Sequence, residues 1–187
     1  MPRVLDRDLV IELLSGREPV VAGGRAQSIA PTTKVTYTYA EPPADWLVDG
    51  ESERPLSEHA RAHREGVFTE AALGYGAGHE LEAIADRLLG LAELAEQSDF
   101  LMAVCPIPGE GSDRRPGSWG VEDLSVVAAA RICLPGVAWI RPSWRLLGPA
   151  ACQVAVAFGA NDWRIPPDDR TDPVHLATAI GAEAVQR

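Results

Sequence analysis

An α/β fold with a mainly parallel sheet is what this sequence predicts, and three features predict it. Short apolar or β-branched runs alternate with amphipathic stretches from residue 56 to the end. The connections between them are short, which is how βα units follow one another. Strand candidates such as Leu101-Met102-Ala103-Val104-Cys105 are apolar on both faces, as burial between two helical layers requires.

The elements follow in order. Residues 4–16 suit a helix: Asp6 or Asp8 supplies a cap, Leu9, Val10, Leu13 and Leu14 form a stripe, and Gly16 ends it. Residues 33–39, Thr33-Lys34-Val35-Thr36-Tyr37-Thr38-Tyr39, alternate and are rich in β-branched and aromatic types, so they suit a strand. From Ala40 to Pro55 the chain is acidic and broken by Pro42, Pro43, Gly50 and Pro55, the composition of a mobile loop. A short polar helix is expected over 57–65 and a strand over 67–73, ending at Gly74-Tyr75-Gly76. The clearest helix spans 80–97, where Leu81, Ile84, Ala85, Leu88, Leu91, Ala92, Leu94 and Ala95 recur at three-and-four spacing. A strand over 100–105 leads into a Pro/Gly-rich loop over 106–120. Then come a helix over 122–134, a strand over 137–140, a helix over 145–158, a strand near 160–163 and a terminal helix from about Asp172.

Composition excludes several functions. The chain of 187 residues has a net charge of −10, and Lys34 is its only lysine. A phosphate backbone is engaged by clustered Lys and Arg, so nucleic acid is not an expected partner. The short cluster Arg61-Ala62-His63-Arg64 sits among carboxylates and reads as a solvated helix face. No apolar run approaches the roughly 20 residues of a membrane span. The first residues carry acids where a signal peptide has its apolar segment, so a cytoplasmic protein is expected. Arg in place of Lys, with abundant Ala, Gly and Pro, fits a high-GC bacterial genome.

Cys105, Cys133 and Cys152 are dispersed and lack zinc or redox spacing, which reads as buried reduced thiols. His59 and His63 are four apart, but no third ligand accompanies them, so no metal is expected. Nor is there a GxSxG elbow, a GxxxxGK[ST] loop or a GxGxxG after a strand.

An ordered series of segments over residues 64–165 resembles a known family. Gly74-Tyr75-Gly76 and the helix Glu80…Ile84…Leu88-Leu89…Leu91…Glu93-Leu94 open the series. Phe100…Ala103…Cys105-Pro106, Asp123-Leu124…Ala128-Ala129-Ala130-Arg131-Ile132…Leu134 and Ile140-Arg141-Pro142-Ser143-Trp144…Gly148 continue it. Gln153-Val154-Ala155…Phe158-Gly159-Ala160-Asn161-Asp162 closes it. The series is similar to the C-terminal half of the radical S-adenosylmethionine enzymes that make menaquinone from futalosine compounds or assemble the deazaflavin cofactor. Ala103 and Ser143-Trp144 stand nearer to dehypoxanthine futalosine cyclase than to the deazaflavin synthases.

The resemblance implies a partial TIM-like barrel of about four to five parallel strands with outer helices. One domain over 1–187 is expected, with 1–55 a divergent lead-in and acidic loop and 56–187 the half barrel. The family holds a [4Fe–4S] cluster on CxxxCxxC, which this sequence lacks, so neither that cofactor nor radical chemistry is expected of this chain alone. After Asp162 the family continues with glycines and a Thr or Ser, whereas this chain has Trp163-Arg164-Ile165-Pro166-Pro167.

Ligands of parallel βα arrays sit at the carboxyl ends of the strands. Tyr75, Pro106, Ser143, Asn161 and Asp162 fall at such ends, and there Tyr75-Gly76 and Gly159-Ala160-Asn161 also suit turns. Tyr75, Arg131, Ser143 and Asn161 are the candidate substrate-binding residues, and Asp162 with His79 the candidate catalytic ones. Arg131 lies in an apolar helix and calls for a carboxylate partner, Asp123 or Asp162; His79 also suits a simple helix entry. A half barrel exposes sheet edges and an apolar inner face, which self-association, a full-length radical relative or the 40–55 tract would cover. Three functions stay open: a pseudoenzyme acting as a binding or partner protein near menaquinone biosynthesis, a small cofactor-free enzyme acting on a futalosine-like or other nucleoside, and a frame without selected function.

Overall fold

The computed structural model describes residues 6–50, 52–111, 117–118 and 120–187. Val4 and Leu5 of the expected first helix, and residues 112–116 and 119 of the Pro/Gly-rich loop, lie outside them.

The fold is α/β with parallel strands in two sheets. Helices α1 (Arg7–Leu14) and α2 (Pro19–Ile29) precede β1 (Lys34–Thr38) and β2 (Leu47–Val48). Then come α3 (Leu56–Arg64), β3 (Thr69–Tyr75), α4 (Leu81–Gln97), β4 (Leu101–Pro108), α5 (Val121–Cys133) and β5 (Trp139–Ile140). The chain closes with α6 (Trp144–Ala155), a 3-10 turn (Val156–Phe158), β6 (Asp162–Arg164), α7 (Pro173–Ala179) and β7 (Glu183–Gln186). One sheet has the order β2-β3-β4-β5 and the other β6-β1-β7. Every pairing is parallel.

Asn161 joins the two sheets. Its backbone N–H donates to Ile140 O at 3.1 Å and its carbonyl accepts from Thr36 N at 3.0 Å. Its side-chain Oδ1 takes the N–H of Ile140 at 2.9 Å. An amide side chain thus continues the hydrogen bonding where the two ladders part, and the strands wrap partway around an axis without closing.

Side chains alternate across each strand. Outward-facing Ala71, Leu73 and Tyr75 of β3 pack with Ile84, Leu88 and Leu91 of α4 and with Val126, Val127 and Ala130 of α5 in the main core. A second cluster joins Val35, Trp163 and Ile165 to Trp144, Cys152 and Ala177. The inward face carries charge, where an apolar one was expected: Glu70, Arg141, Asp162 and Arg164 meet there. Glu70 and Asp162 each immediately precede a core residue, so the alternation that buries Ala71 and Trp163 outward turns these carboxylates inward.

The acidic tract is corrected too. Within the expected loop, Leu47–Val48 form the edge strand of the larger sheet, and Asp49 and Glu53 extend its hydrogen bonding. Asp49 N donates to Glu70 O at 3.1 Å. Beyond β2, Asp49 Oδ2 accepts from Ala72 N at 2.9 Å and Glu53 Oε1 from Gly74 N at 2.7 Å. Carboxylates here replace the carbonyls of a longer strand and satisfy edge N–H groups that would otherwise be left open.

His59 and His63, expected on a solvated face, are buried. His59 Nε2 lies 2.9 Å from Asp49 Oδ1. His63 Nε2 is 2.9 Å from Thr69 Oγ1 and its Nδ1 2.6 Å from Ser98 Oγ. Their helix packs that side onto β3 and α4, and only Arg61 and Arg64 of the cluster remain on its outer side. The expected helix over 145–158 is kinked at Gly148-Pro149 and tightens into the 3-10 turn. The C-terminal helix stops at Ala179, and Gly181, with φ of 74°, turns the chain into β7.

Candidate functional site

A cleft of about 740 Å³ opens at the carboxyl ends of β1, β4, β5 and β6, where parallel arrays place their ligands. Arg141 and Arg164 line its base, Ile107, Trp144, Leu146 and Ile165 its apolar walls, and Glu41, Asp168 and Asp169 its rim. Ser143 caps α6 through Oγ, accepting from Leu146 N at 3.4 Å. Trp144 Nε1 donates to Asp169 Oδ2 at 2.8 Å, which ties the rim to the helix start.

Next to the cleft lies a buried charge network. Arg141 Nη1 donates to Glu70 Oε2 at 2.8 Å, and Arg141 Nε donates to Asp162 Oδ2. Arg164 Nη2 spans both Glu70 oxygens at 2.9 and 2.8 Å. Asp162 also accepts from Thr36 Oγ1 and, at 3.0 and 2.9 Å, from Arg187. Arg187 stacks over the Trp139 ring with its guanidinium carbon 4.0 Å from the centroid. Burial pushes the Glu70 carboxyl up, but the charges and hydrogen bonds of Arg141 and Arg164 outweigh it and hold Glu70 below its usual range.

The predicted site residues do not converge on one place. Ser143 lines the cleft. Asp162 is fully buried, with both carboxylate oxygens engaged by Arg141, Arg187 and Thr36. Tyr75 points away from the cleft, into the core, where its hydroxyl donates to Asp123 Oδ1 at 2.7 Å. Burial, then the Asp123 charge, raise the Tyr75 hydroxyl far above its ordinary value. Asn161 bonds Ile140, Ala138 and Arg131.

Arg131 requires a correction. Its partners are the carbonyls of Gly159 and Val137, both at 3.0 Å, and Asn161 Oδ1 at 2.9 Å, and neither Asp123 nor Asp162 pairs with it. Three aligned carbonyl dipoles meet the guanidinium donors, while Asp123 is taken by Tyr75 and Asp162 by other arginines. With no carboxylate to offset it, burial lowers Arg131 to about 10. His79 stands apart, exposed, on a second cleft of about 890 Å³ lined also by Glu53, Glu110 and Ser118.

Residue-by-residue reading missed Glu70, Arg164, Arg187 and the role of Arg141. One signal was present: Glu70 interrupts an otherwise apolar strand, and a charge inside a buried strand demands a buried partner.

The cluster that the family resemblance implies does not fit the cysteines present. Cys105, Cys133 and Cys152 lie on β4, α5 and α6. Burial raises them to about 11, 12 and 12, whereas cluster ligands are thiolates. Among the described residues no group of three or more His, Cys, Asp and Glu is placed to hold a metal. No helix among them is long and apolar enough to cross a membrane.

Comparison with known proteins finds partial relatives. The chain is 34% identical over 111 residues to the 5-amino-6-(D-ribitylamino)uracil--L-tyrosine 4-hydroxyphenyl transferase of Methanocaldococcus jannaschii, covering 54% of this chain and 31% of that protein. It is 32% identical over 107 residues to the protein of that name in Archaeoglobus fulgidus, with the same coverage. It is 30% identical over 115 residues to the aminodeoxyfutalosine synthase of Thermus thermophilus, covering 57% of this chain and 31% of the relative. The chain thus spans about a third of the length of the relatives it matches. No family model matches the chain. The similarity fits the family that the sequence resembles without selecting one member of it.

Proposed function

We propose that this chain is a non-radical relative of the futalosine-pathway enzymes that works as a binding or partner protein, linked to menaquinone biosynthesis and nearest to the dehypoxanthine futalosine cyclase branch. The observation that carries the reading is the state of Asp162. The carboxylate best placed in sequence to act as a base has both oxygens occupied, while an open cleft lies beside it. A general base must reach its proton within hydrogen-bonding distance, and Asp162 is committed to cations instead. The cleft keeps what binding needs: concave walls, apolar side chains and a few convergent polar groups. Cys105, Cys133 and Cys152 supply no cluster site, so a radical step belongs to a partner that carries one. The partner is a second copy or a full-length relative, set against the open side of the sheets.

A second reading, a small cofactor-free enzyme acting on a futalosine-like nucleoside, draws on His79. This exposed imidazole lines the second cleft, as Glu53 does. The two readings part in one experiment: thermal-shift titration with S-adenosylmethionine and futalosine-type nucleosides, followed by product analysis. Selective binding to the native state raises Tm saturably. A rise without product supports the binding protein, and a rise with product that His79→Asn abolishes supports the enzyme. No rise with any of them removes both small-molecule readings and leaves the protein partner, tested by co-purification with a full-length relative.

A further inference from the structure

Arg141 and Arg164 line the first cleft, and among the described residues two of their buried guanidinium donors, Arg141 Nη2 and Arg164 Nε, have no hydrogen-bond partner. Arg141 is only 3% exposed, so water from bulk does not compensate it. An unsatisfied buried donor on a charged group is costly, more so than one on a neutral group. The two nitrogens belong to side chains that already share Glu70 Oε2, so the guanidinium groups converge on one spot. Among the described residues the local charge is also unbalanced, since the guanidinium groups of Arg141, Arg164 and Arg187 pair with two carboxylates, Glu70 and Asp162. In a chain whose overall charge is −10, this is a buried spot with an excess of one positive side-chain charge.

We propose that the base of this cleft is an anion site in which Arg141 and Arg164 hold a singly charged oxyanion, the carboxylate or monoanionic phosphate of a small molecule. Guanidinium forks suit planar and tetrahedral oxyanions alike, through paired N–H···O bonds. The rim restricts the charge of the ligand. Glu41, Asp168 and Asp169 outnumber Arg145 among the charged residues that line the cleft beyond Arg141 and Arg164, so a polyanion meets net repulsion there that a monoanion largely avoids. The apolar walls at Ile107, Leu146 and Ile165 exclude water from the seated group and strengthen its ion pair. The inference deepens the binding reading and rests on this cleft being a ligand site.

The test uses the whole protein at pH 6, titrated with sodium acetate or with sodium phosphate, which is mostly monoanionic there. Ionic strength is balanced with sodium chloride, whose anion offers no pair of oxygens to a guanidinium fork. A saturable rise in Tm is expected for wild type and for Arg54→Gln, which lies outside the cleft. In Arg164→Gln the midpoint moves at least about tenfold higher, the loss of one charge-assisted hydrogen bond. Acetate acting alone assigns a carboxylate, phosphate acting alone a phosphate monoester, and both together a site that selects on charge. If Arg164→Gln fails to fold, the Arg164 Nε–H signal of wild type is followed by ¹⁵N NMR, and it must shift saturably with the same midpoint as Tm. A response that never saturates, or one that is equal in all three proteins, overturns the proposal. A nucleoside response without an anion response removes the anion site and leaves cleft binding standing; the converse keeps the anion site and removes the nucleoside reading.

Discussion

Glu70 and Arg141, 71 residues apart in sequence, form a buried ion pair with Arg141 Nη1 2.8 Å from Glu70 Oε2. Both side chains are at most 4% exposed. Because Arg141 also donates to Asp162 on β6, the pair ties the larger sheet to the smaller one. The position of Arg141 at the base of the cleft therefore depends on both sheets at once.

Replacing Glu70 by Gln leaves Arg141 and Arg164 without their shared counter-charge. Breaking one partner of a buried pair costs about 3–5 kcal/mol. Urea unfolding is expected to show a loss of that order, with an unchanged m-value. A loss below about 1 kcal/mol would place the pair among solvent-screened ones.

Asp162→Asn is expected to act on stability before activity. It leaves Arg141 and Arg187 short of a buried counter-charge, at a cost of about 3 kcal/mol. At a temperature where the variant remains folded, the ligand that shifts wild-type Tm should still bind with its midpoint moved less than about threefold. Any turnover found in wild type and abolished in a folded Asp162→Asn variant would make Asp162 catalytic after all.

His63 should make folding pH-dependent near neutrality. Burial, helped by the nearby His59, lowers its pKa from the ordinary 6.5. The folded protein therefore binds this proton less tightly than the unfolded chain. The stability is fully present above about pH 6.5 and is lost as pH falls from there through the lower folded value. Chemical denaturation at pH 7.5 and 5.5 should show the drop, and His63→Gln should flatten it between those values.

Two adjacent glycines of α2 should respond oppositely to alanine. A Cβ on Gly23 would sit 2.8 Å from Phe158 Cδ1, whereas one on Gly24 meets nothing within 4 Å. Gly24→Ala should stabilise by up to about 1 kcal/mol through helix propensity. Gly23→Ala should lose that gain to overpacking, which costs about 1–3 kcal/mol, and show a net lower Tm. Melting curves of both single variants decide it.

The same pair of glycines shows why α2 was not legible in the sequence. Gly23-Gly24 looks like a helix breaker, yet the missing side chain lets α2 approach Phe158 closely. Ala22 and Ala26 then pack on Ala128 and Ile132 of α5. Small residues give no amphipathic signal, because their value lies in what approaches them. Strand β2 was hidden for a different reason: it has two residues, and its ladder is continued by the carboxylates of Asp49 and Glu53. By contrast α4 was readable almost to the residue, since Ile84, Leu88 and Leu91 announce their buried face through spacing alone.

The candidate site divides in the same way. Ser143 at the start of α6 and the carboxyl ends of the strands were visible as positions, because βα order fixes which end of a strand faces a ligand. The environment of each side chain was not. Asp162 reads as a candidate catalytic group or a partner of Arg131 and proves to be held by arginines 21 and 25 residues away, while Arg131 reads as half of an ion pair and is satisfied by carbonyls. Local periodicity is a property of neighbouring residues, so sequence alone determined the βα alternation and the faces that are buried. Charge pairing is decided by which distant strands become neighbours, and only the wrapped sheets bring Glu70, Arg141, Asp162 and Arg164 within hydrogen-bonding reach.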